Sequence, residues 1–335
     1  MKFGISFTAK HLNQAGALVH IYTDGSIQVN HGGTEMGQGL YIKVAQVVAS
    51  AFQVDLDRVK VSATRTDKIA NTSPTAASSG SDLNGMAALD ACEKIMEGMI
   101  EFAARHWSTS PDKVSFSDNQ VIIGNQVIPW QTFVQTAYLN RIPLWSSGFY
   151  ATPKIHYDAE TGKGHPFLYY SNGAGCSEVV IDTLTGEYRV LRTDILFDVG
   201  RSLNPEIDIG QIEGGFVQGM GWLTTEELVY SDEGRLLTTG PATYKIPAVS
   251  DCPPDLRVEL LPNSPNREAT IFHSKAVGEP PLMLGIAVWS ALRDAVSSIT
   301  DYRFSAPLDT PATPERVLGA VNASHAWLSE QKESA

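Results

Sequence analysis

The chain has little of what the most legible functional sites are built from. Its 335 residues include three cysteines, Cys92, Cys176 and Cys252. They are odd in number and scattered, so neither a disulfide framework nor a cysteine metal site is implied. A reducing compartment, the cytoplasm, is the expectation. Positive charge is also scarce. Lys and Arg number 25 against 37 Asp and Glu, for a net charge of −12, and no basic cluster offsets it. This argues against a nucleic-acid partner recognised by bulk charge. No apolar run reaches membrane-spanning length, so no membrane is expected, and the apolar start is too short before Lys10 and His11 for a signal peptide.

Several chemical motifs are missing as well. No Gly-x-x-x-x-Gly-Lys-Ser/Thr occurs, which excludes a P-loop. Gly37-Gln38-Gly39 is followed by Ile42 where a dinucleotide fingerprint needs its third glycine. Gly-x-Ser-x-Gly is absent, so the usual hydrolase elbow is unsupported. No His-Glu-x-x-His occurs, and His11, His20 and His31 lack zinc spacing; they read as satisfied surface or loop residues. Cys92 falls on an apolar helical face and reads as core rather than nucleophile.

What is present is a soluble globular composition, 43% hydrophobic and 19% charged, at a length of about two domains. Residues 3–9 read as a strand. Ala17 to Ile21 and Ile27 to Val29 read as a hairpin about Asp24-Gly25. Leu40, Val44, Val47, Val48 and Ala51 recur at helical spacing. A second helix, capped by Ser81 or Asp82, carries Leu89, Cys92, Met96, Met99 and Ala103 inward. A hairpin about Gly124-Asn125 and a helix from Trp130 follow, and residues 146–163 read as a polar connector. Beyond it, strands flank Thr185-Gly186, and a helix carries Ile212, Phe216, Met220 and Leu223 in register. The pairs Gly37-Gln38 and Gly210-Gln211, each read at a helix start, suggest a weak internal repeat. A short helix from Pro314 to Leu328 closes the chain.

Three loops of glycine or small residues precede helices: 32–39, 72–80 and 200–215. Such loops let backbone approach a ligand, and helix N-termini bind anions or carbonyl oxygens. Gln38 and Gln211 add side chains with two donors and one acceptor, suited to a heterocycle with mixed edges. The stretch Lys275-Ala276-Val277-Gly278-Glu279-Pro280-Pro281-Leu282 leads into an apolar helix from Met283. Proline suits a first helical turn, so Glu279 sits at or before a helix N-terminus. From the residues alone it is either a helix cap or a carboxylate able to accept a proton.

The chain as a whole resembles a known family. The motifs are Gly33-Thr34-Glu35-Met36-Gly37-Gln38-Gly39-Leu40, Asn71-Thr72-Ser73-Pro74-Thr75-Ala76-Ala77-Ser78, Leu203-Asn204-Pro205 with Asp208-Ile209-Gly210-Gln211, and Lys275 to Pro281. Phe3-Gly4-Ile5-Ser6-Phe7-Thr8, Leu12 to Ala17, Gly148 to Pro153 and Tyr244 to Ala248 match as well. Together, and in order, they resemble the xanthine dehydrogenase family of molybdenum hydroxylases. The resemblance is to the C-terminal part of the molybdopterin-binding (large) subunit of its bacterial members. It implies an α+β fold, a molybdenum-cofactor-binding domain with two similar lobes of small β-sheets packed by helices. Residues 1–150 would form the first lobe, 164–309 the second, carrying the catalytic glutamate, and 310–335 a tail helix.

The resemblance also implies roles. Glu279 stands where the family has its catalytic base. Gly37, Gln38, Thr75, Ala76, Ala77, Ser78, Gln211 and Gly278 stand where it surrounds molybdenum-molybdopterin, with molybdenum held by the pterin dithiolene and by no side chain directly. Phe7 and Thr8 match substrate neighbours, an aromatic wall suiting a purine. The implied reaction hydroxylates hypoxanthine or xanthine to urate with water-derived oxygen, electrons leaving through 2Fe-2S and FAD on a partner subunit to NAD. Implied partners are the N-terminal part of the molybdopterin subunit and the iron–sulfur/FAD subunit, in a complete enzyme that is a homo-oligomer. On this reading the chain, a natural split or a truncation, carries half of the cofactor site and is inactive in isolation. Two alternatives stand beside it: a catalytically silent structural fragment, and an aldehyde oxidase-type molybdenum hydroxylase.

Overall fold

The computed structural model describes residues 1–333. The chain opens with strand β1 (Lys2–Ile5), then forms the hairpin β2 (Gln14–Ile21) and β3 (Ile27–His31). Strict alternation buries Ala15, Ala17, Val19 and Ile21 on one face of β2. Helix α1 (Leu40–Phe52) crosses over to β4 (Val59–Val61), which pairs parallel with β3. Helix α2 (Gly80–His106) packs across the sheet, with Ala87, Ala88, Ala91 and Cys92 buried against it. Burial pushes the Cys92 thiol well up, as the inert core reading requires. A three-stranded meander, β5 (Val114–Ser117), β6 (Gln120–Ile123) and β7 (Gln126–Pro129), and helix α3 (Trp130–Leu139) extend this lobe. The region read as a connector begins instead with β8 (Trp145–Ala151), antiparallel to β2. A Cβ on Gly148 would meet the Ala87 carbonyl oxygen at 2.0 Å, so that glycine lets β8 lie against α2.

After a small hairpin, β9 (His156–Asp158) and β10 (Lys163–His165), the second lobe is built from β11 (Tyr169–Ile181) and β12 (Tyr188–Phe197). Helix α4 (Pro205–Thr224) crosses over to β13 (Asp255–Leu260), parallel to β12. Asn204 caps α4 by accepting from the Ile207 N–H at 3.1 Å, and Pro205 takes the first helical position. The apolar run expected to be a helix from Met283 is a 3₁₀ helix over Pro280–Gly285, continued by α5 (Ile286–Ser298). Leu284, Val288, Leu292 and Val296 face the core. Helix α6 (Pro314–Glu333) closes the fold, and residues 334–335 of the expected tail lie outside the described residues.

The two lobes repeat one topology. Each has an antiparallel pair, a crossover helix, a strand parallel to the second of the pair, and a helix packed on the sheet: β2–β3–α1–β4–α2 and β11–β12–α4–β13–α5. Each sheet gains a fourth strand antiparallel to the first of the pair, β8 in one and β1 in the other. β1 therefore belongs to the second sheet, although it lies within the first 150 residues. The Gly-Gln pairs do not correspond in this repeat. Gln38 precedes α1, whereas Gln211 lies inside α4, well past its first residue. The architecture is α+β, two similar lobes of small sheets packed by helices.

Backbone crowding seats the 3₁₀ segment on α4. A Cβ on Gly219 would meet the Leu282 carbonyl oxygen at 2.1 Å, one on Gly215 would meet Pro281 at 2.9 Å, and one on Gly285 would meet the Gly219 carbonyl carbon at 2.3 Å. Gly214, on the same helix, has open space where a Cβ would go. Gly219→Ala is therefore expected to destabilise the chain by about 1–3 kcal/mol through overpacking. Gly214→Ala should leave it unchanged or up to about 1 kcal/mol more stable through helix propensity. Urea denaturation of both variants checks the contrast.

Candidate functional site

All four segments singled out in the sequence, 32–39, 72–80, 200–215 and 275–282, meet between the lobes. Loop 32–39 is shaped by Glu35, which accepts from the N–H groups of Gly37, Gly39 and Tyr41 at 2.9, 3.0 and 2.9 Å. Burial would raise this carboxyl, but those backbone donors outweigh it and hold the group below the usual carboxylate range. Gln38 fastens the same loop. Its Oε1 accepts from the Met36 N–H at 2.5 Å and its Nε2 donates to the Thr34 carbonyl at 2.8 Å. Loop 71–80 is tied to it where the Thr34 N–H donates to Thr75 Oγ1 at 2.8 Å. Within that loop Ala77 and Ser78 are both left-handed, at φ +54° and +56°, a conformation non-glycine residues adopt at a cost.

Those two turns bring Ser78 to the second lobe. Its Oγ accepts from the Glu279 N–H at 2.8 Å, and a Cβ on Gly278 would stand 3.0 Å from the same oxygen. Alongside, Lys43 of α1 and Asp208 of α4 form an ion pair at 2.5 Å with both side chains buried. Lys275 pairs with Asp198 at 2.5 Å at the foot of the 275–279 segment.

The result is a cleft of about 260 Å³. Of the residues expected at a cofactor, Gln38, Thr75, Ala76, Ser78, Gln211 and Gly278 line it, together with Glu279. Gly37 and Ala77 are not among the lining residues; each turns its loop with positive φ. Phe7 and Thr8 do not line this cleft either. They follow β1, where Phe7 exchanges two backbone bonds with the Asn13 side chain, both at 2.8 Å. Glu279 sits just before the 3₁₀ helix but makes no side-chain cap bond. Among the described residues neither its exposed carboxylate nor the Gln211 amide has a hydrogen-bond partner. A carboxylate and an amide without partners thus line a space walled by the small residues Ala76, Ser78, Gly80 and Gly278 and by the apolar Met36, Leu40 and Leu203, an arrangement suited to a flat heteroatom-rich occupant and to proton abstraction beside it.

Sequence reasoning missed part of the lining. Lys43, Asp82, Asp208 and residues 274–277 also face the cleft. A lysine on the buried face of α1 was the available signal, since buried Lys is rare without a partner. Asp82, read as a possible cap, is buried instead, while α2 begins after Ser79. His31 is no surface residue. It is 3% exposed, its Nδ1 accepts from the Gly33 N–H at 3.1 Å, and its Nε2 has no partner. Burial lowers its pKa to about 4. Among the described residues no group of three or more His, Cys, Asp or Glu side chains could hold a metal, and no helix is long and apolar enough to cross a membrane.

Comparison with known proteins was consistent across three lines. The family model of the molybdopterin cofactor-binding domain matches residues 1–253, a range that takes in Gln38, loop 71–80 and Gln211 and stops before Glu279. Xanthine dehydrogenase/oxidase of Gallus gallus is 51% identical over 322 residues, covering 95% of this chain and 22% of that protein. Xanthine dehydrogenase of Dictyostelium discoideum is 49% identical over 325 residues, covering 94% and 22%. The chain thus spans less than a quarter of the length of these curated relatives. Quinoline 2-oxidoreductase from Pseudomonas putida 86 shares the fold, with a TM-score of 0.81 at 24% identity, covering 96% of this chain and 41% of that one. The Cu,Mo-CO dehydrogenase does so at 0.80 and 19% identity, covering 93% and 38%.

The buried histidine gives a pH signature. His31 must be neutral to accept from Gly33, and its folded pKa lies below its unfolded value near 6.5. Its contribution is present above pH 6.5 and is lost as pH falls towards 4. Wild type is expected to lose on the order of 2–3 kcal/mol in that window that a His31→Gln variant retains. Thermal melts of both at pH 7, 5.5 and 4 measure the difference.

Proposed function

The chain belongs to the molybdopterin cofactor-binding domain family, and from that premise we propose that it is the base-carrying part of a xanthine dehydrogenase-type molybdenum hydroxylase. The observation that carries the reading is the pairing of an unpartnered carboxylate, Glu279, with an unpartnered amide, Gln211, in a cleft walled by Ala76, Gly278 and Ser78. The fit to a molybdopterin is chemical. A pterin has donors and acceptors along its edges, and Gln211 offers both. A Cβ on Gly278 would stand 3.0 Å from Ser78 Oγ, so the glycine leaves backbone rather than side chain at the wall.

When bound, molybdenum-molybdopterin supplies oxygen transfer and accepts the two electrons of the oxidation, the metal being held by the pterin dithiolene. The chain supplies the rest. Gln211, with Gln38 and backbone of the 75–78 turn, holds the pterin. Glu279 accepts a proton at its carboxylate as the substrate is hydroxylated, a task that needs an ionised group within hydrogen-bond reach. The Ser78 contact to the Glu279 N–H and the two prolines behind it fix the backbone from which that carboxylate projects. The substrate proposed is a purine, hypoxanthine or xanthine going to urate, with Phe7 and Thr8 beside it. The 49–51% identity to xanthine dehydrogenases favours this over an aldehyde, the fold likeness to other oxidoreductases carrying no substrate information at 24% or less. Electrons would pass through 2Fe-2S and FAD to NAD on partner domains, in a cytoplasmic homo-oligomer. Because the chain spans less than a quarter of its relatives, activity is assigned to the assembly with the missing part of the molybdopterin subunit, and not to the chain alone.

The test is Glu279→Gln in the assembled protein. A loss of at least about 10²-fold in purine turnover is expected, the scale for removing a general base, with molybdenum content and melting temperature unchanged. A helix cap would instead lose roughly 1 kcal/mol of stability and little rate. Near-normal turnover at full molybdenum occupancy rejects Glu279 as the base.

A further inference from the structure

Beneath the loops of the cleft lies a carboxylate that the reading above does not use. Asp82, in the first turn of α2, is 8% exposed and lines the cleft. Its Oδ2 accepts from the Tyr169 hydroxyl at 2.7 Å, and that hydroxyl oxygen accepts in turn from the Ala276 N–H at 2.9 Å. Asp82 Oδ1 has no partner among the described residues. Nor does a salt bridge neutralise the group. Lys43 is the nearby cation, but its ammonium bonds Asp208. The other ionisable neighbours are Tyr169 of β11 and Tyr150 of β8. Burial pushes the Asp82 carboxyl up to about 7, with Tyr169 and Lys43 pulling against it.

A carboxylate that is largely buried yet keeps one oxygen open to the cleft is costly to ionise in the empty fold, because most of its hydration is lost and only one oxygen has a protein donor. Such a group is compensated when an N–H or O–H donor enters the cleft and bonds the free oxygen, an interaction strengthened by charge and by low dielectric. We propose that Asp82 Oδ1 is a binding group of the cleft, accepting a hydrogen bond from an N–H donor on the bound heterocycle. Tyr169 orients the carboxylate, and through Ala276 it couples that orientation to the segment carrying Glu279. The inference rests on the molybdopterin reading and adds to it a residue outside the motifs.

Two measurements on Asp82→Asn test it. The first is retention of pterin and molybdenum by the assembled protein after gel filtration, read as fluorescence of the released pterin and by elemental analysis. Wild type should be loaded, and D82N should retain at least about tenfold less, the scale of one charge-assisted hydrogen bond. The second is the thermal melt of the ligand-free 335-residue chain at pH 5 and pH 8. The folded pKa of Asp82 lies above its unfolded value, so the group favours the fold at low pH and that benefit is lost as pH rises through about 7. The melting temperature of D82N relative to wild type should therefore rise from pH 5 to pH 8. Wild type and D82N loaded equally would overturn this inference alone, as would a D82N that melts below wild type by the same margin at both pH values, the behaviour of a purely structural residue. A wild-type assembly that binds no pterin overturns the cofactor reading and this inference with it.

Discussion

The arrangement of the cleft depends on one steric condition, that α4 and the 3₁₀ segment over Pro280–Gly285 can touch backbone to backbone. Gly215, Gly219 and Gly285 meet this condition, each with main chain or proline where a Cβ would be. Without that approach the 3₁₀ turn could not lie on α4. Gln211, one turn before Gly215 on the same helix, would then lose its fixed distance to Glu279. Helix-on-helix contact through side chains needs 8–10 Å between axes; glycine permits less. The separation between a candidate base and a candidate cofactor ligand is thus set by the absence of side chains one and two turns further along the same face of the helix.

A second constraint joins the lobes. Each has its own core, one centred on α2 and the other on α4 and α5. The lobes are tied by β1, by the Lys43–Asp208 pair and by the hydroxyl contacts of Ser78 and Tyr169. A buried ion pair adds little net stability over an apolar pair, but it tolerates little displacement, and here it fixes the register of α1 against α4 beside the cleft. The shared topology gives this a geometric logic. Two copies of one unit present equivalent crossover helices, and the cleft forms where those helices face each other.

Much of this was legible in the sequence, and the limits have physical causes. Local periodicity found the hairpin β2–β3, the helices α1, α2 and α4, and the closing helix, because alternation and 3.6-residue spacing report one buried face. The internal repeat was suspected on the wrong grounds. Gly-Gln dipeptides do not superimpose in the two units, while the strand and helix order does, and order of pairing is not a local property. The connector at 146–163 hid β8 because its burial comes from contact with α2, far along the chain. Asp82 looked like a cap because acids favour first turns, and only Tyr169, 87 positions away, reveals it as buried. His31 was misread for a different reason: its neighbours, Gly33 and the ring of Tyr41, are near in the chain, but a lone polar residue carries no periodicity that reports its burial.

The distribution of unsatisfied polar groups argues that the cleft is where stability has been given up for a ligand. Backbone and side-chain donors in its loops are otherwise closely matched: Glu35 takes three N–H groups and Gln38 makes two bonds within its own loop. Against that background the free Gln211 amide, the free Glu279 carboxylate and the single free oxygen of Asp82 share one cavity. Of these only the Asp82 carboxyl is buried, and it carries the cost: burial raises its pKa to about 7, so in its ionised form it weighs against the ligand-free fold. Left-handed Ala77 and Ser78 add backbone strain at the same place. Strain in the turn that carries Ser78 and the missing partners thus meet at one cleft. An occupant carrying its own donors and acceptors is the economical account of both, because the bonds it makes offset the cost of the groups that wait for it.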